Sequence, residues 1–187
     1  MATLFQNKYR IGFTRHAAWN YANSGMYFVT ICTAGRICYF GNIINEKMRL
    51  NNIGSMAGQC WLEIPKHFPN VILDEYIIMP NHTHGIIFID NDMPNHKRRD
   101  AIYRVSTGGV TGSHNPMGTN SLGEIMRAYK SAVKRFCTKQ SLSFSWQSRF
   151  YDRIIRNEHE LHNIRNYIYY NPAKWKRDRN NVENLYR

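Results

Sequence analysis

The chain has 187 residues, 43% of them hydrophobic and 13% aromatic, enough for one substantial core and too apolar for a disordered chain. Charges and polar residues interrupt every apolar run well short of the about 20 positions that a membrane-spanning helix needs, and the start from Met1 to Lys8 lacks the apolar stretch of a signal peptide, so a soluble cytoplasmic protein away from the membrane is expected. The formal net charge of +12 is uneven: residues 1–126 hold 11 Lys/Arg against 8 Asp/Glu and residues 127–187 hold 14 against 5, which fits a phosphate-backbone binder and also a solvated basic face.

The first strand signal is Met26 to Thr33, aromatic and β-branched, after the turn residues Asn23, Ser24 and Gly25. Short pieces near 37–40 and 48–50, separated by Gly41 and Asn42, predict a flanking hairpin or loop. From Ile53 to His67 the row Met56, Cys60, Ile64 recurs every fourth position, predicting an amphipathic helix that ends near Phe68 and Pro69. Val71 to Met79 and Thr83 to Asp90 read as two strands joined through Pro80 and Asn81, because proline cannot sit inside a central ladder. Residues from about 91 to 120 turn polar and aperiodic, predicting a loop. Ser121 and Glu124 form a capping box ahead of the stripe Ile125, Ala128, Tyr129, Ala132, Val133 and Phe136. Ser143 to Ile155 alternates loosely as a strand, and Asn157 to Glu160 opens a last helix that Pro172 ends, with Asn171 near its final turn. Cys32, Cys38, Cys60 and Cys137 form no Cys-x-x-Cys pair and read as thiols of a reducing compartment.

The order strand, helix, strand, strand, helix, strand, helix predicts an α+β fold of the ferredoxin-like split β-α-β kind: an antiparallel sheet with helices on one face and an added C-terminal helix carrying the tyrosine discussed below. One domain over residues 1–187 is expected, with its core at about 25–176, the polar loop at about 91–120 and a basic C-terminal tail at 177–187. The polar composition from Trp175 onward predicts a mobile end.

His82 and His84, one residue apart at a strand start, point to one face and can grip one metal ion. Such a pair arises easily by chance among eight histidines, but its place directly after a Pro-Asn turn favours a metal. The amide oxygen of Asn171 would add a hard third donor and leave positions open for phosphate oxygens, the mark of a catalytic site. Imidazole suits Mn²⁺, Co²⁺, Ni²⁺ or Zn²⁺ and phosphate chemistry suits Mg²⁺; a divalent cofactor, Mg²⁺ or Mn²⁺, is expected. Tyr167 lies one turn before Asn171 on the same helix face and is the candidate nucleophile. Tyr151, Tyr169 and Tyr170 rival it by type, and a tyrosine merely packed on a sheet is the commoner case. Arg127, Lys130, Lys134, Arg153 and Arg156 are candidate phosphate contacts or, taken singly, solvated charges.

At these residues the chain resembles the single-tyrosine DNA transposases of the histidine-x-histidine nuclease superfamily, most closely the REP-associated tyrosine transposase branch. The matching stretches are Tyr27 to Thr33, Val71 to Ile89 with Met79-Pro80-Asn81-His82-Thr83-His84-Gly85, Ser121 to Phe136, and Trp146 to Trp175 with Tyr167-Ile168-x-x-Asn171-Pro172. The resemblance implies that His82, His84 and Asn171 bind the divalent ion. It implies that Tyr167 attacks a phosphate of single-stranded, hairpin-bearing DNA, forming a 5′-phosphotyrosine link and freeing a 3′-hydroxyl, the work of an endonuclease and strand transferase. Thr83 departs from the family, which usually carries a larger hydrophobe there, and predicts a slightly looser seat under the site. Insertion-sequence relatives tend to be homodimers and the REP-associated branch can work as monomers, so both states stay open. The alternative is a non-catalytic single-stranded nucleic-acid-binding module on the same fold, with aromatics stacking on bases and no metal.

Overall fold

The computed structural model describes residues 4–5, 9–10, 24–90, 121–181 and 184; the expected loop at 91–120 lies outside them. In chain order the strands are β1 (Leu4–Phe5), β2 (Tyr9–Arg10), β3 (Gly25–Cys32), β4 (Gly41–Ile44), β5 (Lys47–Leu50), β6 (Val71–Met79), β7 (His82–Ile89) and β8 (Tyr151–Ile155). The helices are α1 (Asn52–Leu62), α2 (Ile64–His67), α3 (Leu122–Lys139) and α4 (Glu158–Tyr169), followed by a 3₁₀ turn over Pro172–Arg177. Four strands form one sheet in the order β6-β7-β3-β8, every neighbouring pair antiparallel. The expected α+β fold is therefore the observed one, with β3 and β7 central.

Alternation along β3 decides how the two faces are used. Tyr27, Val29 and Ile31 are fully buried on one side, in a core that takes in Trp61 of α1 and Ile125, Tyr129 and Val133 of α3. Each fully buried isoleucine there contributes about 1.5–3 kcal/mol relative to exposure. Met26 and Phe28 turn the other way, where Leu161, Ile164 and Ile168 of α4 pack with Ile86 and Ile155. So α1 and α3 cover one face, and the tyrosine helix covers the other. The guanidinium of Arg165 joins α4 to Asp74 through two hydrogen bonds, 2.8 Å from Nε to Oδ1 and 2.5 Å from the second nitrogen to Oδ2. Asp74 sits in the register shift of β6 between Leu73 and Tyr76.

Local chemistry accounts for the boundaries. Asn51, Ser121 and Asn157 each accept a hydrogen bond from the backbone N–H three residues on, capping α1, α3 and α4. The helix expected over 53–67 is divided at Glu63 into α1 and α2, because Pro65 has no N–H to continue the ladder. The flanking strand lies at 41–44 instead of 37–40. Asn45 and Glu46, at φ 49° and 60°, make the tight turn to β5. Gly41, at φ 135°, brings the backbone so close to Arg49 that a Cβ would strike its carbonyl oxygen. Of the strand expected over 143–155 only β8 forms, with Trp146 making an isolated bridge to Thr33.

The C-terminal end is a larger correction. Asp178, Asn180 and Asn181 are buried, and the Arg36 guanidinium donates to the Arg179 carbonyl and to Asn180 Oδ1 at 2.6 and 2.8 Å. Through Asn181 polarity marks a packed, hydrogen-bonded turn in place of the expected mobile end; most of the expected tail beyond it lies outside the described residues.

Candidate active site

Met79 pairs with His82, so Pro80 and Asn81 form the two-residue link of a hairpin and β7 begins at the first histidine. His82 and His84 then fall opposite Cys32 and Thr30 of β3, on the face that carries Phe28 and α4. Their ring centroids lie 4.5 Å apart, and both residues are almost completely buried. Between them Thr83 turns to the opposite core and shares a 3.3 Å hydrogen bond with the Tyr129 hydroxyl. The expected looser seat is thus not found: the threonine is fully buried and tied to α3. Next to it, Gly85 admits the Trp61 indole, which a Cβ would strike.

Each imidazole is held at one nitrogen. Nδ1 of His84 lies 2.8 Å from Thr30 Oγ1, and Nδ1 of His82 lies 2.9 Å from Asn81 Oδ1. Nε2 of His84 faces the Tyr167 hydroxyl at 3.2 Å. Phe28 stacks on the His84 ring and meets Tyr167 edge-on, so the three rings pack as a unit. Burial, followed by the charge of Arg179, lowers His84 to about 3. Burial first, then His84, Arg36 and Arg179, holds His82 well below the usual imidazole range. Both rings are neutral at physiological pH, the form that binds metals.

Two buried acceptors at this site have no hydrogen-bond partner among the described residues: His82 Nε2 and Asn171 Oδ1. A buried lone pair left bare is costly unless something else fills the role, and a divalent cation fits both donors. One ligand atom each from His82, His84 and Asp178 lies within 4.8 Å of the other two, so this group is positioned to hold a metal ion. Asp178 was not foreseen. Its only sequence signal is a lone carboxylate within Lys174, Lys176, Arg177 and Arg179.

Tyr167 is raised above the usual phenol range by burial and by Asp178, and lowered in part by a hydrogen bond from Asn171 and by Arg179. That bond links Tyr167 to Asn171, as their one-turn spacing predicts. The rival tyrosines lie apart from this contact: Tyr169 and Tyr170 are 71% and 50% exposed and pack on each other, and Tyr151 is also exposed.

The basic candidates divide between the faces. Lys130 Nζ donates to the carbonyls of Gln147 and Ser148 at 2.6 and 3.3 Å, and Lys134 Nζ to that of Phe144 at 2.5 Å, so both ammonium groups brace the segment after α3. Arg127 is exposed on α3. Arg153 pairs with Phe28, which puts it on the histidine face, where it meets Glu160 of α4 at 2.5 Å; Arg156 is exposed just beyond.

No family model matches the chain. An uncharacterized protein of Haemophilus influenzae is 38% identical over 161 residues, covering 86% of this chain and 87% of its own length. A second Haemophilus influenzae protein, described as a REP-associated tyrosine transposase, is 24% identical over 156 residues, or 83% of this chain and 74% of its own. Among solved structures, a REP-associated tyrosine transposase bound to a REP hairpin superposes with a TM-score of 0.54 at 18% identity, over 87% of this chain and 73% of that one. The chain is thus related to the uncharacterized Haemophilus influenzae protein and resembles REP-associated tyrosine transposases. The likeness to the hairpin-bound transposase shows a shared fold. Among the described residues no helix is long and apolar enough to cross a membrane.

Proposed function

We propose that the protein is a metal-dependent single-stranded DNA endonuclease and strand transferase acting at hairpin-bearing DNA, with Tyr167 as its nucleophile. The observation that carries this reading is the 3.2 Å approach of the Tyr167 hydroxyl to His84 Nε2, beside the bare acceptors of His82 and Asn171. The side chains of His82, His84 and Asn171 would hold the divalent ion, Mg²⁺ or Mn²⁺, and Asp178 adds a carboxylate within reach. When bound, such an ion neutralises phosphate charge and orients the phosphate for in-line displacement.

The remaining work falls to the chain's own groups. Tyr167 is held by Phe28, His84 and Asn171, so its oxygen is presented in one place. Its oxygen forms a bond to phosphorus as the bond from phosphorus to the 3′-oxygen breaks. The phenolic proton is lost to solvent and the departing 3′-oxygen takes one up, which leaves a 5′-phosphotyrosine and a 3′-hydroxyl. Because the phosphodiester energy is kept, a second 3′-hydroxyl can reverse the step and join strands without ATP. Arg127 and Arg156 present cations for the DNA backbone, whereas Arg153 would first have to leave Glu160, and Lys130 and Lys134 the carbonyls they brace. The transposase relative that carries a hairpin supports the DNA partner. No disulfide joins the described cysteines. A single domain that works as a monomer or a homodimer is compatible with this site.

The test is incubation of labelled hairpin-bearing single-stranded DNA with wild type and Tyr167→Phe in Mn²⁺ or Mg²⁺. A denaturation-resistant protein–DNA adduct is expected for wild type and is lost in the variant and in EDTA. Cleavage that survives in Tyr167→Phe would make water the nucleophile. Chelator-insensitive binding without any adduct would leave a binding module.

A further inference from the structure

We propose that Asn81 is a positioning residue that fixes His82 as its Nδ1–H tautomer, so that Nε2 keeps a lone pair for a divalent cation. The proposal rests on the metal site described above and adds what prepares it. Asn81 is fully buried, and its Nδ2 donates to two backbone carbonyls, those of Arg36 and Asn180, each at 2.8 Å. Exchanging the amide oxygen and nitrogen would set oxygen against two carbonyl oxygens, so the orientation has one solution. Oδ1 must therefore face His82 Nδ1 at 2.9 Å, and only an N–H can donate to it. In a neutral imidazole the other nitrogen is then an acceptor. That nitrogen, Nε2, is the buried atom without a partner among the described residues.

One of the two carbonyls belongs to the C-terminal turn. Arg36 holds that turn through Arg179 and Asn180, and Arg36 itself sits at φ 55°, a left-handed conformation in which its own carbonyl also serves Asn81. The tautomer of a residue at the start of β7 is thus set by contacts from segments about 45 residues before and 99 residues after Asn81. Partners of this kind orient a ligand ring and keep its free nitrogen basic.

The test uses the full-length, metal-free protein with ¹⁵N-labelled histidine and a long-range ¹H–¹⁵N correlation spectrum, His82→Gln identifying the resonance. His82 is expected on the Nδ1–H form in wild type. Asn81→Leu is expected to release the ring to the Nε2–H form and to weaken Mn²⁺ binding by about 10–100-fold in a titration followed by paramagnetic resonance. Wild-type His82 protonated at Nε2 would overturn the proposal, as would Asn81→Leu that keeps both the Nδ1–H form and wild-type Mn²⁺ affinity. If Asn81→Leu fails to fold, the wild-type spectrum still decides. Failure of the transfer reaction is separate, since it would show as missing adduct with the tautomer intact.

Discussion

His82 and His84 were legible because their spacing fixes their face once a strand is granted, and a Pro-Asn turn fixes where that strand begins. Tyr167 and Asn171 were legible for the matching reason in a helix. Asp178 and the role of Asn81 were not, because both depend on a chain end folding back across the sheet, which no local period encodes. The two buried histidines also carry a consequence for stability. Their folded pKa values are depressed while an unfolded histidine titrates near about 6.5, so below that pH the unfolded chain binds more protons than the folded one. Stability of the metal-free protein should therefore fall as pH drops from about 6.5 toward about 3, by up to about 1.4 kcal/mol per pH unit for each ring. Urea unfolding of wild type and His84→Gln at pH 7.5 and 5.5 checks this: the variant should lose less. Equal losses would mean that His84 is not kept neutral by the fold.

Strands and capped helices were readable from alternation, caps and turn residues, and the elements that moved did so for stated reasons: Pro65 split a helix, and Gly41 shifted a strand start. What periodicity could not show was which face α4 would take. Its apolar row, Leu161, Ile164 and Ile168, would suit either side of a sheet; it packs on Ile86, Ile155, Met26 and Phe28, and Arg165 ties it there to Asp74 in the β6 irregularity. Arg165→Ala is accordingly expected to slow adduct formation while leaving Mn²⁺ affinity near wild type, and Arg165→Lys, lacking the fork, to restore only part of the rate. Single-turnover kinetics beside a Mn²⁺ titration separates the two effects. On the other face, Gly85→Ala should destabilise by about 1–3 kcal/mol, since the Trp61 indole occupies the space of the added methyl. A shift of the urea midpoint measures it, and an unchanged midpoint would mean that the indole moves freely.

Across the whole molecule, one sheet separates two tasks. The α1–α3 face holds most of the buried hydrophobic core, and the α4 face gathers two neutral histidines, a tyrosine, an asparagine and a carboxylate. The excess positive charge of residues 127–187 surrounds the second face only in part, because α3 lies on the first. The fold class followed from element order alone, whereas the sharing of the site between β7, α4 and the C-terminal turn needed the tertiary structure. The most direct measurement is mass spectrometry of tryptic peptides from the protein–DNA adduct formed in Mn²⁺ on hairpin-bearing single-stranded DNA. A nucleotide remnant on Tyr167 alone is the expected result. A remnant on Tyr151, Tyr169 or Tyr170 would contradict the assignment of the nucleophile and of the site built around it.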